Sequence, residues 1–391
     1  MKILLIHNSY KQKGGEDAVF KNEFNLLKSL GFKVDKLLFS NLCIKSAKDQ
    51  ILTGIYSIYN YKSAKLLEDR IKTFKPDIIH IHNWFPLASP SIILTAKKQN
   101  IPVVMTLHNF RLICPNALLF RNGKICEKCI DKFFPYPAIF NKCYRNSYLQ
   151  TLSVSLVTFT HKVFQTWQKI DKFIALTEFQ KNKFLSSSLK IPKEKFSVKP
   201  NFTKDFGMGF NKRENFFLYV GRLSEEKGID TLLEAFKNTQ FVIKIIGDGN
   251  LKHFILKHSQ KYKNIIFLGY KNKNEVIQYM KKAKALIFPS KCYEGFPTVL
   301  VEALSVGTPV ITSNIGSQAE IIKDGYNGLH FKVNNELDLR SKLVKFLSSK
   351  NKKFYENARK EYLDKYTPEK NIQILTKIYG EVINATKKAG Y

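Results

Sequence analysis

Two carboxylates eight positions apart bracket the segment Glu294-Gly-Phe-Pro-Thr298-Val-Leu-Val-Glu302. An apolar run, Ala285 to Pro289, leads into it. Pro297 suits the first turn of a helix, where its missing N–H has no partner to lose. Glu294 then sits in a loop and Glu302 inside the helix. Ionised carboxylates only accept hydrogen bonds, which is what holding the hydroxyls of a sugar and a ribose requires. The N–H groups at Thr298, Val299 and Leu300 open the helix, and such unpaired amides hold anions. The competing reading of Glu302 is an ordinary exposed helical glutamate.

Upstream, Gly221-Arg222-Leu223-Ser224-Glu225-Glu226-Lys227-Gly228 follows a strand and precedes a helix. Arg222 can clamp two oxygens in a fork and Lys227 supplies a point charge, chemistry suited to a departing diphosphate. A solvated charged loop is the alternative. Near the N-terminus, Gly14-Gly15-Glu16 lies at a strand-to-helix turn, where glycines let backbone N–H groups approach a phosphate. The pair can equally be only a turn. His80 and His82, in Asp77-Ile-Ile-His80-Ile-His82-Asn83-Trp84, alternate along a strand and so share a face. With no third ligand nearby in the sequence, they read as structural or acceptor-side groups and not as a metal site. Cys114, Cys126, Cys129 and Cys143 fall within thirty residues, and both a structural zinc and reduced packing cysteines remain open for them. No Asp-x-Asp pair occurs, so no catalytic metal is expected: Arg222, Lys227 and the helix amides can carry that charge.

These groups need elements to hold them. Short apolar runs recur at Ile3–Ile6, Val34–Leu38, Ile78–Ile81, Val103–Leu107 and Phe173–Leu176, and again at Phe216–Val220, Phe241–Ile246, Ile265–Leu268, Ala285–Phe288 and Pro309–Ile311. Segments of helical period separate them, as in parallel sheets with βαβ crossovers. The pattern runs twice, which predicts an α/β chain of two Rossmann-like doubly wound domains facing a ligand cleft. A length of 391 residues fits that count, because one core rarely grows past about 250–300 residues. The first domain spans 1–200, with an irregular Cys-bearing insertion at 109–146 and a helical pattern at 148–168. The stretch Lys199-Pro-Asn-Phe-Thr-Lys-Asp-Phe-Gly-Met-Gly209 reads as a linker. The second domain spans 201–370, and a basic helical tail follows at 371–391.

Taken together, Gly221–Gly228, Ile246-Gly-Asp-Gly249, Glu320-Ile-Ile-Lys-Asp-Gly-Tyr-Asn-Gly-Leu329 and above all Glu294-x7-Glu302 resemble the retaining GT-B glycosyltransferases of family 4. The resemblance covers the whole chain and is stronger in the second half. It implies a GT-B fold whose C-terminal helix returns to the first domain, and a hexosyltransferase-type enzyme that needs no cofactor. The donor would be a UDP- or GDP-sugar, and the acceptor a polysaccharide or lipid-linked oligosaccharide of the cell envelope. Arg222 and Lys227 would bind the diphosphate, Glu294 the donor sugar and Glu302 the ribose. The amides of Thr298, Val299 and Leu300 would face the distal phosphate, and Gly14 and Gly15 would approach it from the other domain. His108, in Thr106-Leu107-His108-Asn109, resembles the histidine near the anomeric carbon, with a core histidine as the alternative. Glu294, His108, Lys227 and Arg222 would form the catalytic set.

The net charge of +32 attracts polyanions. Lysines spread along the whole chain also fit a compositional habit. A basic nucleic-acid-binding protein is the alternative class, but no helix-turn-helix, zinc-finger or RNA-binding signature accompanies the charge. A GT-B phosphorylase or epimerase keeps the fold, yet no pyridoxal-lysine signature is visible and Glu-x7-Glu favours transfer. No apolar run is long enough to span a membrane, and the N-terminus reads as a strand and not a signal peptide. The basic charge, the aromatic-rich insertion and the helix at 148–168 suit docking on an anionic membrane surface. The expected location is cytoplasmic, peripheral on the inner face of the cell membrane, with that surface and not nucleic acid as partner.

Overall fold

A computed structural model describes residues 1–11, 14–349 and 352–389. In chain order the first part runs β1 (Lys2–Ser9), α1 (Gly15–Ser29), β2 (Lys33–Ser40), α2 (Ala47–Tyr56), α3 (Tyr61–Phe74), β3 (Ile78–Ile81), α4 (Ser91–Lys98), β4 (Val103–Thr106), β5 (Phe120–Arg121), β6 (Lys124–Ile125), α5 (Tyr136–Phe140), α6 (Tyr148–Val163), β7 (Lys172–Ala175), α7 (Glu178–Leu185) and β8 (Phe196–Val198). The second runs β9 (Phe217–Val220), α8 (Ile229–Phe236), β10 (Ile243–Ile246), α9 (Lys252–Lys261), β11 (Ile265–Gly269), α10 (Lys273–Lys282), β12 (Leu286–Phe288), α11 (Thr298–Ser305), β13 (Val310–Ser313), α12 (Gly316–Ile321), β14 (Gly328–Phe331), α13 (Glu336–Ser348), α14 (Lys352–Lys365) and α15 (Pro368–Ala389). Two compact units result: Met1–Leu119 with Glu127–Pro200 and Asn371–Tyr391, and Phe120–Cys126 with Asn201–Lys370.

Each unit holds one six-stranded parallel sheet, as a buried βαβ rhythm requires. The first has the order β2-β1-β3-β4-β7-β8 and the second β11-β10-β9-β12-β13-β14. Numbered within each unit, these are 2-1-3-4-5-6 and 3-2-1-4-5-6, both doubly wound. The direction of winding reverses between β1 and β3 in the first, and between β9 and β12 in the second. At such a switch point neighbouring loops diverge and leave a crevice beyond the strands' carboxyl ends.

The core of the first unit joins Ile3 and Leu5 of β1, Ile78 of β3, Val104 of β4 and Ile174 of β7 to α15, through Leu375, Ile378, Tyr379 and Val382. The C-terminal helix therefore covers the first sheet. In the second unit, alternate strand residues feed two cores, one around Leu218, Leu286 and Val310 and one around Phe217, Ile287 and Ile311.

Four strands escaped the sequence reading. β8 and β14 are edge strands of three and four residues, and their segments mix polar residues into too short an apolar run. β5 and β6 form an antiparallel hairpin inside the 109–146 segment. Asn122 and Gly123 turn it with φ of 50° and 72°, the geometry that Asn-Gly hairpin turns adopt. The expected linker also needs correction: Lys199 is 1% exposed and belongs to a buried ion pair.

Candidate active site

In the second unit, the loops after β9 and β12 meet at the switch point. The Lys291 amide donates to the Glu226 carbonyl at 2.8 Å, and the Ser290 hydroxyl oxygen lies 3.2 Å from that carbonyl. Gly228 makes the approach possible. Its φ is 70°, and a Cβ there would stand 1.9 Å from the Pro289 carbonyl oxygen. The cross-bonded loops bring two expected residues together: Lys227 Nζ donates to Glu294 Oε1 at 2.7 Å. Ser290 Oγ donates to the same oxygen at 2.6 Å.

Burial alone would push the Glu294 carboxyl up, but Lys227, Ser290 and Cys292 together hold it below its ordinary value. Burial likewise works against the Lys227 ammonium, yet Glu294 and Cys292 keep its pKa above the usual lysine value. Burial, aided by Glu294, pushes the Cys292 thiol up to about 12, so it stays protonated. An ionised carboxylate and an ammonium thus share a poorly hydrated pocket at the sheet's carboxyl edge. Ser290 was not singled out from the sequence, although a hydroxyl four residues before Glu294 is a legible signal.

Arg222, five residues before Lys227 in the loop after β9, is exposed, and its guanidinium has no hydrogen-bond or ion-pair partner among the described residues. Glu302 projects from α11 and pairs with Lys273 at the start of α10, so a hydroxyl ligand must share or displace that lysine. Of the three expected helix amides, Leu300 needs correction. Its N–H donates to the Pro297 carbonyl at 3.0 Å, because a tight first turn satisfies it internally. Among the described residues, Thr298 and Val299 keep free N–H groups.

In the first unit, the switch point lies between the loops after β1 and β3. Gly14 departs from expectation: its N–H donates to the Asp17 carboxylate at 2.7 Å. Glu16 and Asp17 occupy the first turn of α1 and already complement its dipole. Gly15 is exposed. Asn83 and Asn109 donate to the two Glu16 oxygens at 2.9 and 3.4 Å. Burial first, then Asp17, pushes the Glu16 carboxyl up to about 8.

His108 is half-buried and borders a cavity lined by Trp84, Phe85, Asn109, Arg111 and Leu112. It ends a buried polar chain. Lys199 Nζ donates to Glu23 Oε2 at 2.8 Å, Glu23 Oε1 lies 3.0 Å from His82 Nε2, and His82 Nδ1 lies 3.0 Å from His108 Nε2. Burial would raise the Glu23 pKa, but Lys199, His82 and His80 hold it well below its ordinary value. Burial and the neighbouring His80 lower His82 to about 3, and burial and His82 lower His108 well below 6.5. The proton positions follow. Ionised Glu23 can only accept, so His82 carries its proton on Nε2. Neutral His82 must then accept at Nδ1 from the His108 Nε2–H. His108 is left with its lone pair on Nδ1. None of Glu23, Glu16 or Lys199 was singled out from the sequence, since only folding brings them to the histidines.

Glu23 also supplies the third metal-type ligand that the sequence neighbourhood of His80 and His82 lacks. One donor atom of each lies within 4.8 Å of the others. Glu23 Oε1 faces both histidines, 3.2 Å from His80 Nδ1 and 3.0 Å from His82 Nε2. Lys199 bonds the other oxygen, Oε2, and brings a positive charge to the cluster, while the Tyr379 and Thr106 hydroxyls lie 2.7 and 2.8 Å from the two His80 nitrogens. Among the described residues, the four cysteines of the 114–143 segment form no comparable group.

Comparison with known proteins adds an independent line. The family model described as glycosyl transferases group 1 matches residues 201–361, and that described as glycosyltransferase family 4 matches residues 50–204. An uncharacterized glycosyltransferase of Methanocaldococcus jannaschii is 28% identical over 98% of this chain and 99% of its own. The alpha-monoglucosyldiacylglycerol synthase of Acholeplasma laidlawii is 27% identical over 68% of this chain and 66% of its own. The crystal structure of Anabaena HepE in complex with UDP superposes with a TM-score of 0.66, over 97% of this chain and 100% of that one, at 16% identity. At that identity the likeness shows the fold alone.

Proposed function

Because the chain belongs to the family 4 glycosyltransferases of GT-B fold, we propose that it moves a hexose from a UDP- or GDP-sugar to a polysaccharide or lipid-linked oligosaccharide, with retention of configuration and without a cofactor. The observation that carries this reading is the Lys227–Glu294 pair at the second sheet's switch point, with the exposed Arg222 in the same loop as Lys227. The UDP in the Anabaena structure favours a uridine donor, and the lipid in the Acholeplasma enzyme's name favours an acceptor at a membrane. The proposed location is the cytoplasmic face of that membrane. No helix among the described residues is long and apolar enough to cross it.

Arg222, Lys227 and the free amides of Thr298 and Val299 take the diphosphate. Glu294 accepts from hydroxyls of the donor sugar, and Glu302 accepts from the ribose once Lys273 yields. The anomeric C–O bond breaks and its electron pair passes to the phosphate. The acceptor oxygen bonds to the anomeric carbon from the same face, and its proton passes to the leaving phosphate. Fixed cations and amides stabilise the negative charge that develops, commonly the largest catalytic term. Gly15 contributes its amide, and neutral His108 offers Nδ1 as an acceptor to a substrate hydroxyl.

Steady-state transfer with a UDP-sugar panel tests the reading. Lys227→Ala should lower kcat/KM by about 10²–10³, as removal of one oxyanion-stabilising donor does elsewhere, with the cost in kcat. Glu294→Gln should lose activity comparably while the circular dichroism spectrum stays unchanged. Full activity in either folded variant contradicts the assignment.

A further inference from the structure

The helix α6 is built inside out. Its polar residues Thr151, Ser155, Thr158, His161 and Lys162 are buried, whereas the residues it exposes are Tyr148, Leu149, Leu156 and Val163. Leu149, at 79% exposure, opens a stripe that repeats every seven residues through Leu156 to Val163. Seven residues make about two helical turns, so all three side chains share one face. Phe164 prolongs the stripe at 68% exposure.

Neighbouring elements extend this face. The helix α2 packs on α6, where Ser153 Oγ donates to the Gly54 carbonyl at 3.2 Å, and it exposes Ile51, Leu52, Ile55 and Tyr56. The short helix α5 packs on α6 as well and exposes Tyr136 and Phe140. Exposed apolar side chains concentrated on α6 and the two helices that pack on it mark a place where something binds.

Charge selects the partner. From Lys132 to Ile170 the chain carries five Lys or Arg and no acidic residue. Lys162 turns inward onto the carbonyls of Lys132 and Phe133, but Arg145 and Lys169 are exposed and Lys142 lies 4.5 Å over the Tyr148 ring. Along α2, Asp49 is engaged by the amides of Lys45 and Ser46, beside exposed Lys45 and Lys48. Aliphatic side chains flanked by cations match acyl chains beneath anionic headgroups. A second copy of this chain would bring the same positive charge.

We propose that the α2–α5–α6 face of the first unit docks on an anionic lipid bilayer, with Leu149, Leu156 and Val163 entering the headgroup–acyl boundary. The proposal deepens the transfer reading and rests on it only for the membrane acceptor.

The full chain is sedimented with vesicles of phosphatidylcholine alone or mixed with phosphatidylglycerol. The wild type should bind the mixed vesicles, and less as salt rises. The double variant Leu149→Glu/Leu156→Glu should lose at least about tenfold in partitioning, and Lys142→Ala/Arg145→Ala should lose the salt-sensitive part. No wild-type binding at low salt, or equal binding by the leucine variant, overturns the proposal. So does a wild-type dimer in size-exclusion chromatography that Leu149→Glu makes monomeric. The rise in melting temperature with UDP or GDP, measured on the same proteins, reads the donor site separately. Vesicle binding with no nucleotide shift would retain the docking proposal and overturn the transfer reading.

Discussion

The two unlike environments of buried charge in this chain set what each charged residue contributes. Lys227 and Glu294 stay partly open, at 19% and 14% side-chain exposure, in the proposed donor site, whereas Lys199 and Glu23 form a closed pair at 1% and 0%. Removing one member of such a pair leaves an uncompensated charge in a poorly solvating interior, at a cost of about 3–5 kcal/mol. Lys199→Met should therefore destabilise the protein by that amount in urea unfolding. The effect reaches the histidines as well. Without Lys199 the Glu23 carboxylate loses its strongest stabilising charge, so it takes up a proton more readily and accepts more weakly from His82. A Lys199→Met protein as stable as wild type would show that the ion pair holds nothing in place.

At the level of elements, both candidate sites lie where neighbouring strands send their helices in opposite directions. Loops that diverge there need a backbone able to pass closely, and Gly228 is such a point. Gly228→Ala must accommodate both the left-handed φ and a carbonyl oxygen 1.9 Å from the new carbon. The left-handed backbone alone costs about 1–2 kcal/mol, and the clash forces the β9 and β12 loops apart. The variant should lose the Lys227–Glu294 contact and with it transfer activity. Full activity in a folded Gly228→Ala protein would mean the loop spacing is not needed.

For the whole molecule, the histidine chain couples stability to pH. His82 has a folded pKa of about 3, against about 6.5 unfolded. The unfolded chain therefore binds the proton first, and stability falls as pH drops below about 6.5. His82 alone contributes a loss of about 2 kcal/mol by pH 5, and His108 acts in the same direction. Glu23, also held low, stays ionised through this window and adds its own loss only at lower pH. Glu16 works in the opposite direction over the same window, because its carboxyl is pushed up to about 8 and the folded chain holds that proton. The histidine part is therefore read as a difference: on going from pH 7 to pH 5 the urea midpoint of His82→Asn should rise relative to that of the wild type, and an unchanged difference would exclude His82 as a source.

The sequence by itself determined the rhythm of the chain and singled out the Glu294–Glu302 motif. Strands buried on both faces must be apolar throughout, so Ile3–Ile6 or Ile78–Ile81 announce themselves locally, and the Glu294–Glu302 spacing lies within a single loop and helix. Tertiary structure alone decided what meets across distance. Lys199 and Glu23 are 176 residues apart, and nothing near either residue indicates the other. The same holds for α6, whose helical pattern mixes apolar with Ser and Thr residues and leaves open which face it buries. Folding turns Thr151 and Thr158 inward, where their hydroxyls donate to the Ser147 and Ser155 carbonyls. The leucines are then left outside, and no periodicity can reveal which face a helix buries until its neighbours are in place.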